Sequence, residues 1–150
     1  MQNAPFFVDN EVIELTADGV WIADGIEISH DPTRELFARS LKWSDKDKYY
    51  LHIGRETKTI DVKDTAYFVQ RIDGNPEDGF EVLINDRITE RLKPETLRFR
   101  PGRLTCRIQR QGRSEEAKFL RSAYMDLLRH LQQDERGYFL TLQNQRIHLG

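Results

Sequence analysis

The chain has 150 residues, 38% hydrophobic and 32% charged, enough for one ordinary domain or two small ones under a heavily solvated surface. That balance excludes a disordered chain, no apolar run approaches the ~20 residues of a membrane helix, and the single Cys106 excludes an internal disulfide framework. The net charge of −2 hides a segregation: residues 1–33 hold seven acids and no Lys or Arg, whereas Thr96 to Arg113 carries six arginines and no acid.

Val12 to Thr16, Val20 to Ala23 and Ile26 to Ser29 read as short strands punctuated by the turn dipeptides Asp18-Gly19 and Asp24-Gly25. Asp31-Pro32 then opens a helix, with Asp31 as N-cap and Thr33, Leu36, Phe37, Ser40 and Leu41 on one stripe. A charged turn, SDKDK, leads into a hairpin of Tyr49 to Ile53 and Lys58 to Val62 around Gly54. Another strand runs Tyr67 to Ile72, and Asp73 to Gly79 (DGNPEDG) is the clearest loop and a candidate internal boundary. Strands follow at Phe80 to Ile84, Leu97 to Phe99 and Leu104 to Ile108; in the last, Leu104, Cys106 and Ile108 point one way. Ser114 is expected to cap a second helix, with Glu115 and Glu116 at its positive end and Leu120, Ala123, Tyr124, Leu127, Leu128 and Leu131 as its apolar face. The turn QQDER leads to Tyr138 to Leu142 and Gln145 to Leu149.

The last segment repeats an earlier one. FARSL (Phe37 to Leu41) matches LLRHL (Leu127 to Leu131), SDKDKYYLHI (Ser44 to Ile53) matches QDERGYFLTL (Gln133 to Leu142), and Ile60 and Val62 answer to Ile147 and Leu149. A helix, charged turn and hairpin over 32–62 thus recurs at 115–149, and two copies suit packed half-domains rather than a solenoid. The expected fold is α+β: half-domains 1–66 and 67–150, each an amphipathic helix on a curved, mostly antiparallel sheet.

No phosphate-loop, dinucleotide, nucleophile-elbow or zinc-protease motif is present; no catalytic residue, metal or cofactor is expected. His30, His52, His130 and His148 lack metal-ligand spacing. Asp45, Asp47 and Glu56 fit a calcium-loop register only where Tyr50 replaces its glycine, so a solvated turn explains them better. Cys106 reads as a buried, inert thiol, and Asp126 with His130 as a helix-surface pair. The arginine window carries more chemistry, because a planar guanidinium grips phosphate or carboxylate with two bonds. Arg103 and Arg107 flank Thr105 on one strand face, and Arg98 and Arg100 share a face of the preceding strand. Either they hold an anionic ligand or the N-terminal acids cover them. Nucleic acid is an unlikely partner at a sequence pI near 6.1.

Gly19, Trp21, Gly25, Ile28, Leu36, Phe37, Leu41, Tyr49-Tyr50-Leu51, Glu56, Ile60, Val62, Asp64 and Val69 form a signature that resembles the bacterial domain-of-unknown-function family 1285. LRF at Leu97 to Phe99, GRSEEAKFLRSAYMDLL and the closing Leu149-Gly150 resemble its second half. The chain departs from it at Ile53-Gly54, where the family tends to Thr-Pro, and at Ala66, where it tends to proline. The resemblance implies a duplicated core, a C-terminal half like a pleckstrin-homology domain, a nucleotide-like ligand between the halves and a signalling role, and it carries over no established catalytic residues. The expectation is a cytoplasmic, non-enzymatic ligand-binding or regulatory module. In it Arg98, Arg100, Arg103 and Arg107 neutralise a small anion while Trp21 and Tyr50 offer flat surfaces. A protein-interaction scaffold is the second expectation, and a hydrolase or transferase using Glu56, Asp64 and His30 the third.

Overall fold

The computed structural model describes residues 5–46 and 48–149. The chain is a mixed α+β protein, mostly sheet, and divides into two compact units, Met1–Ala66 and Tyr67–Gly150.

In the first unit, β1 (Ile13–Leu15), β2 (Trp21–Ala23) and β3 (Ile26–Glu27) form a meander, and α1 (Asp31–Arg39) follows. Asp24 and Gly25 both take positive φ, 49° and 80°, the paired left-handed geometry that joins two strands by a two-residue turn. Helix α1 begins one residue earlier than expected: His30 is the N-cap and Asp31 is already helical, paired to Arg34 one turn on. It ends at Ser40, whose hydroxyl donates to the Leu36 carbonyl at 2.6 Å. Leu41 therefore leaves the helical stripe and opens β4 (Leu41–Ser44), a strand the sequence does not announce. This strand pairs with β5 (Lys48–Ile53), which pairs with β6 (Glu56–Thr59); β7 (Asp61–Val62) then joins β1 in parallel. The expected single strand Lys58 to Val62 is thus two strands in different sheets, broken at buried Ile60. Ile13, Leu15, Trp21, Phe37, Leu41 and Leu51 form the core of this unit.

The second unit is built on one six-stranded sheet. Its members are β8 (Tyr67–Asn75), β9 (Gly79–Ile84), β10 (Thr89–Arg91), β11 (Arg98–Arg100), β12 (Arg103–Arg110) and β13 (Arg113–Phe119), in the order β10-β9-β8-β13-β12-β11. The cluster at 73–79 is the tip of the β8–β9 hairpin, inside this unit. Gly74 is required there, because a Cβ would stand 2.2 Å from the Gly79 carbonyl oxygen. The helix expected from Ser114 is instead strand β13. Glu115, Ala117 and Phe119 are buried while Ser114, Glu116 and Lys118 face outward, a period of two that overrides the local helix signals. Helical spacing starts only at α2 (Arg121–Leu128), which packs Ala123 and Leu127 inward.

The sheet curls into a half-barrel. Strands β10 and β12 stand four places apart in the sheet order, a span of about 19 Å if the sheet were flat. Yet Arg110 on β12 reaches Glu90 on β10 at 2.7 Å and grips Asp86 with two bonds, 2.6 and 3.1 Å. The inner surface carries Val69, Val82, Ile84, Leu104, Cys106, Ala117 and Phe119, all buried.

After α2 come β14 (Gln132–Asp134), β15 (Gly137–Leu142) and β16 (Gln145–Leu149), a second antiparallel meander. It follows its helix as β4-β5-β6 follows α1. In both, the last hairpin closes with a two-residue turn, Ile53 opposite Glu56 and Leu142 opposite Gln145. The ladders make buried Leu149 the counterpart of buried Ile60, not of Val62 as the sequence comparison has it. The turn between β14 and β15 is one residue shorter than that between β4 and β5, the same difference as the gap in the sequence alignment.

The Arg110 cluster sets the stability of the second unit. Replacing Arg110 by Ala leaves Asp86 and Glu90 as unpaired carboxylates in a site where Arg110 and Asp86 are 11% and 5% exposed. The expected loss is about 3 kcal/mol, read by urea denaturation followed by circular dichroism.

Candidate functional site

The arginine window divides by strand parity. Alternation along β12 sends Leu104, Cys106 and Ile108 inward, so Arg103, Thr105 and Arg107 lie on the opposite face, where Thr105 is itself buried at 2% exposure among the longer side chains. The antiparallel register sets Arg100 opposite Arg103 and Arg98 opposite Thr105, placing four arginines on one outer face of β11 and β12. Lys118 of β13 stands opposite Thr105 and joins that face. Arg110 lies instead on the inner surface, with Arg113 opposite it.

Each outer arginine has a distinct setting. Glu116, opposite Arg107 in the ladder, places one carboxylate oxygen 2.5 Å from Arg103 and the other 3.9 Å from Arg107. Arg107 also donates to the Ser114 hydroxyl at 2.9 Å and its carbonyl at 3.1 Å. Arg98 folds back to donate to the carbonyls of Leu97 and Glu95 at 2.8 and 3.1 Å. Arg100 is exposed at the strand end. The sequence expectation set residues 1–33 as the covering acids; the ion pairs seen at Arg103, Arg107, Arg110 and Arg113 are made by Glu116, Asp86, Glu90 and Glu115, all from the second unit.

Trp21 does not offer the flat surface expected of it. It is 2% exposed and meets Phe37 edge to face at 5.3 Å, a core contact of the first unit. Tyr50 is half-buried on β5 of the same unit. The aromatic pair that does border open space joins Tyr49 to Trp43, which the sequence reading did not single out. Trp43 and Tyr49, 4.8 Å apart edge to face, line an open groove of about 800 Å³ with Lys48, Lys58, Glu11 and Asp64. Trp43 lies on β4, which carried no strand signal, so nothing paired it with Tyr49 in advance.

The acid–base candidates have separate engagements. Glu56 accepts the backbone amides of Phe6 and Phe7 at 2.6 and 3.1 Å, one with each oxygen, which pins the N-terminal segment onto the Phe37 cluster. The His30 ring bonds the Thr33 hydroxyl at 2.8 Å, and Asp64 lines the groove. Asp126 pairs with Arg129 at 3.4 Å, while His130 lies against the Phe80 ring. Of the calcium register, Asp47 lies outside the described residues, and among those described no cluster of His, Cys, Asp or Glu could hold a metal ion. No described helix is long and apolar enough to cross a membrane.

Inside the curled sheet, burial raises the Tyr67 phenol, Glu115 and Asp86 add to it, and Arg110 and Arg113 oppose. At Arg110 burial works against the charge, but bonds to Asp86 and then Glu90 outweigh it and raise the pKa. Burial pushes the Cys106 thiol up to about 12, helped by Glu90 and opposed by Arg107.

This is a curled-sheet α+β fold with a charged outer face. No family model matches the sequence, and no curated protein matches it. Two solved structures share the fold. A DUF1285 family protein from Shewanella baltica OS155 aligns with a TM-score of 0.60 and 17% identity, over 81% of this chain and 94% of that one. A DUF1285 family protein from Silicibacter pomeroyi DSS-3 aligns with a TM-score of 0.59 and 17% identity, over 89% and 76%. Both belong to the family whose signature the sequence resembles, and at that identity the likeness is one of fold.

The Cys106 thiol should resist a disulfide-exchange reagent in the native protein and react once the protein is unfolded. Its folded pKa of about 12 lies above the unfolded value of about 8.5, so the native state keeps a proton that the unfolded state loses. The Cys106 contribution is fully present below about pH 8.5 and falls as pH rises towards 12. Cys106→Ala is expected to flatten the alkaline limb of a stability–pH curve measured by denaturant titration.

Proposed function

We propose that the chain is a divergent bacterial relative of the DUF1285 proteins and acts as a cytoplasmic, non-enzymatic regulatory module. Its outer arginine face binds a small phosphate-bearing anion. The observation that carries this is the register placing Arg98, Arg100, Arg103 and Arg107 on one side of two adjacent strands. Forked guanidinium groups spaced across neighbouring strands suit several phosphate oxygens at once. With Trp21 in the core, the reading rests on the phosphates and not on a stacked base, and it concerns the second unit alone. We further propose that the two units are duplicates, supported by the shared helix-and-meander order and the matching ladders. The second is likened to a pleckstrin-homology domain by its curled sheet followed by a helix.

A scaffold role is the second reading, favoured by Ile26, 73% exposed on edge strand β3.

Isothermal titration calorimetry tests the anion reading. Inorganic pyrophosphate and adenosine diphosphate are expected to bind alike, with affinity falling as salt rises, and the double variant Arg103→Ala, Arg107→Ala to lose at least tenfold. No heat from either probe at low salt overturns the reading.

A further inference from the structure

We infer that Glu116 is a built-in competitor for the anion, occupying the arginine pair until a phosphate displaces it; this rests on the anion reading above. The geometry is that of a stand-in ligand. Its two oxygens face two different guanidinium groups, at 2.5 Å to Arg103 and 3.9 Å to Arg107. A phosphate oxygen pair approaching the same two arginines would take the same positions. Glu116 differs in this from Asp86, which is 5% exposed under Arg110 and belongs to the sheet closure.

Three features make the contact exchangeable. The side chains of Arg103, Glu116 and Arg107 are 28, 37 and 43% exposed, so solvent reaches the pair and its attraction is weak. The second arm of the pair is also long. Arg107 keeps its place when the carboxylate leaves, because the Ser114 hydroxyl and carbonyl hold its Nε and Nη2 from the other side. The guanidinium is therefore already aimed before a ligand arrives, which limits the ordering cost of binding. A phosphate with more charge and more acceptor oxygens outbids a single carboxylate at such a site. Freed, Glu116 can turn to water from its outward position on β13.

The consequence is an affinity threshold. A weak monoanion does not displace the internal carboxylate, whereas a multiply charged phosphate does. Substitution at Glu116 should then tighten binding, the reverse of what loss of a ligand-contacting residue does.

The test is calorimetric titration of inorganic pyrophosphate into wild type, E116Q and, as a control of equal charge change at the exposed Glu81 of β9, E81Q. Wild type is expected to bind, and E116Q to bind about fivefold tighter, the size of one exposed ion pair, while E81Q stays close to wild type. E116A is expected to tighten similarly, and circular dichroism checks that each variant is folded. If wild type binds and folded E116Q and E116A bind no tighter, the competitor role is overturned and the anion site stands. Tightening of E81Q by as much as E116Q also overturns it, since the effect is then one of net charge. If none of the proteins binds pyrophosphate, both this inference and the reading it rests on fall.

Discussion

A guanidinium withdrawn from water must meet its charge inside the protein, and the second unit is shaped by how Arg110 does so. Asp86 supplies two bonds and Glu90 a third. Withdrawal of such ions costs several kcal/mol apiece unless the geometry is good, and here it is good only if β10 comes round to face β12. The curl, the buried inner surface and the outward display of the other arginines are parts of one arrangement. A flatter sheet would separate the three charges and leave each one buried without a partner.

The two adjacent acids Glu115 and Glu116 show how strand parity divides chemistry. In sequence they look interchangeable, and both suit a helix start. On β13 they go to opposite faces: Glu115 is buried beside Arg113, and Glu116 stands outside against Arg103 and Arg107. The arginine window separates in the same way. A stretch that reads as one block of positive charge is a structural inner pair and an outer array.

Much of the local structure was legible. Asp24-Gly25 fixed a turn because both positions need left-handed backbone, and the alternation through Leu104, Cys106 and Ile108 gave the inward face of β12 and the inert thiol with it. What failed had non-local causes. The β12–β13 turn uses Gln111-Gly112, both at positive φ, a pair that signals a hairpin less strongly than Asn-Gly, so β13 passed for a helix start. Trp21 looked available because its burial depends on Phe37, in a different element. The structural role of Arg110 could not be read, since Asp86 and Glu90 are remote from it in sequence and nothing local marks them as its partners. The outer array could be drawn from periodicity alone, whereas the identity of its internal acid required the pairing of β12 with β13.

Each unit also joins an early strand to a late one in parallel: β1 with β7 through residues 14 and 61, β8 with β13 through residues 67 and 117. Parallel partners cannot meet through a tight turn, so each sheet waits for a strand made long after its partner. On the ribosome, the first unit gains its last strand at Val62, before any of the second has emerged. The second must then wait through two three-stranded meanders, β8-β9-β10 and β11-β12-β13, for Ala117 to reach Tyr67. In that interval the edge of β8 is an unpaired strand with Phe68 and Val69 uncovered, the stage at which a nascent chain is most prone to pair with a neighbour.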